Sequence, residues 1–270
     1  MGKLSGLLTL IVIASSTVTA KAHEFWLTAE DYTLAPEETL RVGLRIGSEM
    51  KGSPLIYLPK DITRFEVIQG DSTRPVEGRM GDNPALVMAG LADGLAIVVH
   101  ETADSTLTYS DFGVFQRFVD HKDLTDALAD HAARGLPDRN FRETYRRHAK
   151  SLVAVGSGAG ADRAVGLAIE IVALANPYTD DLSAGLPVQV LLDGAPRAEA
   201  QVELFQTAPD GTVTITKHRT DADGRVTLPM QPGMEYLVDS VVLRALPNDD
   251  PAAGPVWHSD WASLTFRTPD

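Results

Sequence analysis

The sequence predicts a mainly β protein built as two sandwiches with a short helical insert between them. Three observations carry this reading. Several segments alternate apolar and polar residues with a period of two, the signature of half-buried strands. Turn-forming residues punctuate them, within a chain that holds 22 glycines and 16 prolines. One central stretch switches to helical spacing instead.

Residues 1–22 have the pattern of a secretory signal. Lys3 is followed by an apolar run, Leu4 to Ala14, and by Ala20-Lys21-Ala22, a small-x-small cleavage pattern. The run is shorter than the roughly 20 residues needed to span a bilayer, and no other apolar run reaches that length. The chain is therefore expected in the periplasm with no transmembrane segment after cleavage. Cleavage after Ala22 makes His23 the first residue.

Residues 23–112 are expected to form the first sandwich. Thr39 to Ile46 points Leu40, Val42, Leu44 and Ile46 to one face, Arg64 to Ile68 repeats the alternation, and Leu95 to His100 is denser and more apolar. Residues 113–150 are expected to be helical. Val114, Phe115, Phe118, Val119, Leu124 and Leu128 lie at helical spacing, and the Arg-rich segment from Phe141 to Lys150 is a second helix candidate beyond Pro137. Residues 151–270 are expected to form the second sandwich. Its strands are Ser151 to Val155, Val188 to Leu192, Ala200 to Phe205, Thr212 to Lys217, Arg225 to Leu228, Tyr236 to Leu243 and Ala262 to Arg267. Their number and turn spacing suit an immunoglobulin-like sandwich. Gly156 to Gly160 (GSGAG) lacks the Gly-Lys-Ser/Thr ending of a phosphate-binding loop and reads as a plain loop.

Composition excludes several functions. There are 24 Lys and Arg against 37 Asp and Glu, a net charge of −13 that repels nucleic acid. The absence of cysteine removes disulfides, thiolate metal sites and cysteine nucleophiles. No Gly-x-Ser-x-Gly elbow and no zinc-protease histidine pair occurs. Pairs such as Glu37-Glu38, Asp180-Asp181 and Asp249-Asp250 read as solvated loop charges, so no enzyme is expected.

The segment Thr220 to Pro229 (TDADGRVTLP) and the preceding Ala-Gln-Val-Glu-Leu strand resemble transthyretin-like or CnaB-like sandwiches. An ordered set of motifs resembles a family of exported bacterial proteins of unknown function, numbered 4198 and formerly filed as NikM-like. It comprises Ala22-His23-Glu24-Phe25-Trp26-Leu27, Phe115-x-x-Phe118-Val119, Tyr145-x-Arg147-x-Ala149-Lys150, Asn176-Pro177-Tyr178 and Trp261-Ala262-Ser263-Leu264-Thr265-Phe266. Some members, the NikK-like proteins, accompany nickel or cobalt transporters. The resemblance implies a metal-binding accessory to uptake or buffering, with a membrane metal-transporter subunit as partner. Two blocks depart from the family: His121-Lys122-Asp123 stands where relatives often carry Glu-Glu-Gly, and His258-Ser259-Asp260 where they carry Glu-Ser-Tyr.

A terminal His23 chelates a metal through its free amine and ring Nδ1, an arrangement that suits copper(II) and nickel(II), while the resemblance implies nickel or cobalt. The second ligand must come from His100, His121, His131, His148, His218 or His258. The favoured metal ligands are His23, His100, which ends an apolar strand, and His258, which lies between Trp257 and Trp261. His131 and His148 are expected to be solvated. The competing reading is a non-catalytic envelope structural or interaction module without a metal. Trp26, Trp257 and Trp261 are expected in the core.

Overall fold

The computed structural model describes residues 23–270, so the expected signal, residues 1–22, lies outside the described residues. In chain order the first strands are β1 (Glu24–Ala29), β2 (Thr33–Leu34), β3 (Leu40–Ser48), β4 (Lys51–Leu55), β5 (Ile62–Gln69), β6 (Ser72–Pro75), β7 (Leu86–Met88), β8 (Gly94–Thr102) and β9 (Ser105–Tyr109). Helices α1 (Phe112–His121) and α2 (Asp126–Ala133) follow, then β10 (Phe141–Val155). The second half holds β11 (Ile169–Ala173), β12 (Leu186–Leu192), β13 (Ala195–Pro196), β14 (Gln201–Thr207), β15 (Val213–Arg219), β16 (Arg225–Leu228), β17 (Glu235–Ala245) and β18 (Trp257–Arg267).

The fold is mainly β, as the alternation predicts, and it is organised on one broad sheet. That sheet runs β15-β14-β17-β18-β10-β8-β5-β6, with β2 and β9 also paired to β10. A second sheet holds β1, β3, β4 and β7, and a third holds β11, β12, β13 and β16.

Period two decides which cover each residue meets. Along β8, Ala96 and Val98 join Leu27, Leu40 and Val42 of the second sheet. Leu95, Ile97 and Val99 join Ile169, Ile171 and Val188 of the third. The two smaller sheets therefore cover opposite faces of the broad one, which is why β8 reads as an unbroken apolar run. The helices share the face of the second sheet. Leu237 of β17 meets Trp26 of β1, and Val241, two alternations further on, packs with Phe115, Phe118 and Trp257.

Helix α1 starts where the Asp111 side chain accepts the Gly113 N–H at 2.9 Å. It buries Phe115, Phe118 and Val119. It stops at Lys122, because Asp123 takes a left-handed conformation with φ of 56°.

Three expectations are corrected. The segment from Phe141 to Lys150 is strand, not helix: it is the first two-thirds of β10. Its arginines are good helix formers, but β9 and β18 offer hydrogen-bond ladders on both sides, and that pairing overrides local propensity. The expected boundary at 150/151 consequently falls inside a continuous strand. Along that strand β10 and β18 run parallel, from Glu143↔Trp257 to Ser151↔Thr265. Finally, His131 and His148 are each only 1% exposed rather than solvated. Trp257 Nε1 donates to His131 Nδ1 at 3.2 Å, and His148 Nε2 lies 2.9 Å from Asp260 Oδ1.

The segment resembling CnaB is a tight turn. Asp221 Oδ1 accepts the N–H groups of Asp223 and Arg225, each at 2.9 Å. The GSGAG loop is pinned, with Asp93 accepting the Ser157 N–H at 2.7 Å and Asn176 Nδ2 donating to Gly158 O at 2.8 Å. No helix among the described residues is long and apolar enough to cross a membrane.

Candidate metal centre

The densest buried charge lies where β1, the end of α1 and the broad sheet meet. The register of the sheet builds its floor. Glu203 of β14 pairs with Asp239 of β17, and Asp239 pairs with Ser263 of β18, so these side chains leave the same face in one row. Glu24, the first residue of β1, approaches from above. His121 and Lys122 arrive from α1, positioned by two hydrogen bonds to the His121 carbonyl, from Gln201 Nε2 at 2.9 Å and Lys217 Nζ at 2.5 Å.

Lys122 is buried among three carboxylates. Its Nζ contacts Glu203 Oε2, lies 2.8 Å from Asp239 Oδ2 and lies 3.4 Å from Glu24 Oε1. It also sits over the Trp261 ring, 5.1 Å from the centroid. Arg147 lies 4.0 Å from the same ring. Burial disfavours the Lys122 ammonium, but the surrounding carboxylates Asp239, Glu203 and Glu24 outweigh it and hold the pKa above its ordinary value. Burial raises Asp239 and Glu24 against the pull of Lys122. Glu203 is pushed up by burial and pulled further down by His121 and Lys122, to about 2.

Lys122 uses one oxygen of each glutamate. The others are both buried: Glu24 Oε2 has no hydrogen bond, and Glu203 Oε1 has Lys217 Nζ at 3.6 Å. His121 Nε2 lies 3.1 Å from Glu203 Oε1. Ligand atoms of Glu24, His121 and Glu203 all lie within 4.8 Å of one another. Two carboxylates and an imidazole, with the imidazole side chain 50% exposed, make a three-ligand set with one side open to solvent. His23, also exposed, is one peptide bond from Glu24.

The other two sequence-predicted ligands lie elsewhere. His100 is sealed in the core against Phe25 and Phe65, with ring centroids 5.2 and 4.9 Å away. Neither of its nitrogens has a hydrogen bond, and burial pushes its pKa down to about 3. His258 is engaged on the other face of the broad sheet, its Nδ1 2.9 Å from Thr144 Oγ1 and its Nε2 3.3 Å from Asp260 Oδ1. Alternation places His100 and His258 on opposite faces, so the structure does not bring them together.

The sequence offers His121 only as one of several possible second ligands and gives no signal for Glu24 or Glu203 as its neighbours. The departure at His121-Lys122 was the available signal. Glu203 lies within an apolar strand, and nothing in the sequence shows that α1 caps its face.

The layered sheets and the buried acidic corner define a mainly β protein. Residues 20–243 match the family profile described as a domain of unknown function, DUF4198, and the chain belongs to that family. A comparison with curated proteins returns no match. Among solved structures, the tetra-tandem repeat in the extending region of a large adhesion protein is similar at 11% identity and a TM-score of 0.20. That likeness covers 90% of this chain and 49% of the repeat structure, so the chain spans about half its length. The D0-D1 domain of Intimin is similar at 13% identity and a TM-score of 0.22, covering 91% of this chain and 98% of that one. Likenesses this distant carry no statement about function.

Proposed function

We propose that this chain is an exported, non-catalytic transition-metal-binding protein that serves nickel or cobalt uptake or metal buffering. The observation that supports it best is the convergence of Glu24, His121 and Glu203 within 4.8 Å, with the buried Oε2 of Glu24 lacking a hydrogen bond. A divalent ion there would satisfy that oxygen and would add positive charge to a corner where three carboxylates meet Lys122 and Lys217. His23 joins the set once the leader is removed, adding its amine and ring nitrogen. With those nitrogens present, copper(II) also fits. The family resemblance favours nickel or cobalt, with a membrane metal-transporter subunit as partner.

Isothermal titration of the chain starting at His23 tests the reading, using nickel(II), cobalt(II) and copper(II). One ion per chain is expected. His121→Ala and Glu203→Gln are expected to weaken binding at least about tenfold. Affinity should fall as pH drops, because the ligands must be deprotonated. Unchanged affinity in both variants would remove the site. A residue added before His23 reads its share separately.

A further inference from the structure

A cleft of about 430 Å³ opens beside α2, in a range suited to small ligands. Its apolar wall is made by Leu124, Val242, Leu243 and Trp257. Two charges line it without a protein counter-ion. Arg197 donates to Ser240 Oγ at 3.2 Å and has no carboxylate within ion-pair distance among the described residues. Asp126, at the start of α2, has neither a hydrogen bond nor an ion pair among the described residues. The neighbouring acids differ: Asp123 is engaged by Arg219, and Asp130 lies 3.7 Å from Arg134 Nη1.

Arg197 is also held rigidly. Its N–H donates to Val190 O at 2.9 Å, and its carbonyl accepts from Thr220 Oγ1 at 2.8 Å. Ser240, its side-chain partner, donates in turn to Gln201 O at 2.9 Å. A guanidinium fixed in this way keeps donors free for a planar carboxylate, at little ordering cost. Burial, with Arg244 nearby, pushes its pKa down to about 10, which still leaves it charged at neutral pH.

From the unpaired cation, the unpaired acid and the apolar wall between them, we infer that this cleft binds a small zwitterion: a free amino acid or short peptide with an apolar side chain. Its carboxylate meets Arg197, its ammonium faces Asp126, and its side chain lies on Leu124 and Leu243. The site shares no residue with the metal corner, so either can fail alone.

The test is calorimetric titration of the metal-free chain, kept in chelator, with L-valine, Val-Ala and Val-Ala-Ala. Each is repeated as its C-terminal amide and its N-acetyl derivative. Saturable binding with Kd at or below about 1 mM is expected for at least one of the three free forms. The amide should bind about tenfold more weakly, and Arg197→Met should reproduce that loss without responding further to the amide. Asp126 is exposed, so Asp126→Asn leaves the core intact and should cost about threefold, equal to the effect of N-acetylation. No saturable binding up to about 10 mM, or equal affinity for free and amidated forms, overturns the inference. The peptide series separates an amino-acid site from a peptide site.

Discussion

Replacing Lys122 with methionine tests how the buried corner is held together. The side chains of Glu24, Glu203 and Asp239 are 4%, 1% and 2% exposed, and Lys122 is the lysine seated among them. Removing one partner of a buried ionic group leaves uncompensated charge and costs about 3–5 kcal/mol. For a chain of this size each kcal/mol lowers Tm by about 2–4 °C, so a fall of about 6–20 °C is expected at pH 7.5. Acid should soften the loss. Burial has already raised Asp239 and Glu24, and both take up protons readily once the ammonium is gone. Adding Glu24→Gln, Glu203→Gln and Asp239→Asn should restore much of the stability, since no bare charge then remains. The assay is thermal unfolding followed by circular dichroism between pH 5 and 8. A fall under about 3 °C at pH 7.5, or one that does not shrink toward pH 5, would refute the assignment of Lys122 as the counter-ion.

Two buried histidines should pull stability in opposite directions with pH. His148 has its pKa raised, because Asp260 and Glu101 outweigh the effect of burial. Its contribution is complete below the unfolded value of about 6.5 and is lost as pH rises through the folded value, so His148→Gln should flatten the alkaline limb of a Tm–pH curve. His100 has its pKa pushed down to about 3, so stability falls as pH drops from about 6.5 toward that value. His100→Leu should remove that acid loss and, by deleting two unsatisfied nitrogens, gain about 1–3 kcal/mol in urea unfolding at pH 7. Gly224→Ala should cost about 1–3 kcal/mol by the same assay, because Gly224 has φ of 69° and a Cβ there would lie 2.7 Å from Val190 O.

Much of the fold could be read from local pattern. Arg225–Leu228 alternates throughout and Leu40–Ser48 does so as far as Arg45, because one side of each strand meets a core. The failures come from tertiary context. The Arg-rich part of β10 has an ordinary helical composition, and only the strands on either side make it extended. The candidate site was less legible than the fold. His100 and His258 are local opposites, one sealed between phenylalanines and the other bound to Thr144 and Asp260. His121, Glu203 and Glu24 lie far apart in sequence and meet only because α1 folds back over the sheet. The departure at His121-Lys122 marked the place without giving its partners.

The parallel pairing of β10 with β18 also governs the order in which the chain can mature. β18 supplies most of one flank of β10, and through it β14, β15 and β17 are joined to the strands of the first half. β18 follows all the other described strands, so β10 lacks this partner until they have emerged. Contacts of such long sequence separation make assembly slow and concerted. The nascent chain should therefore stay open to proteases until β18 docks, and deleting β18 should dissolve both halves together rather than free one of them.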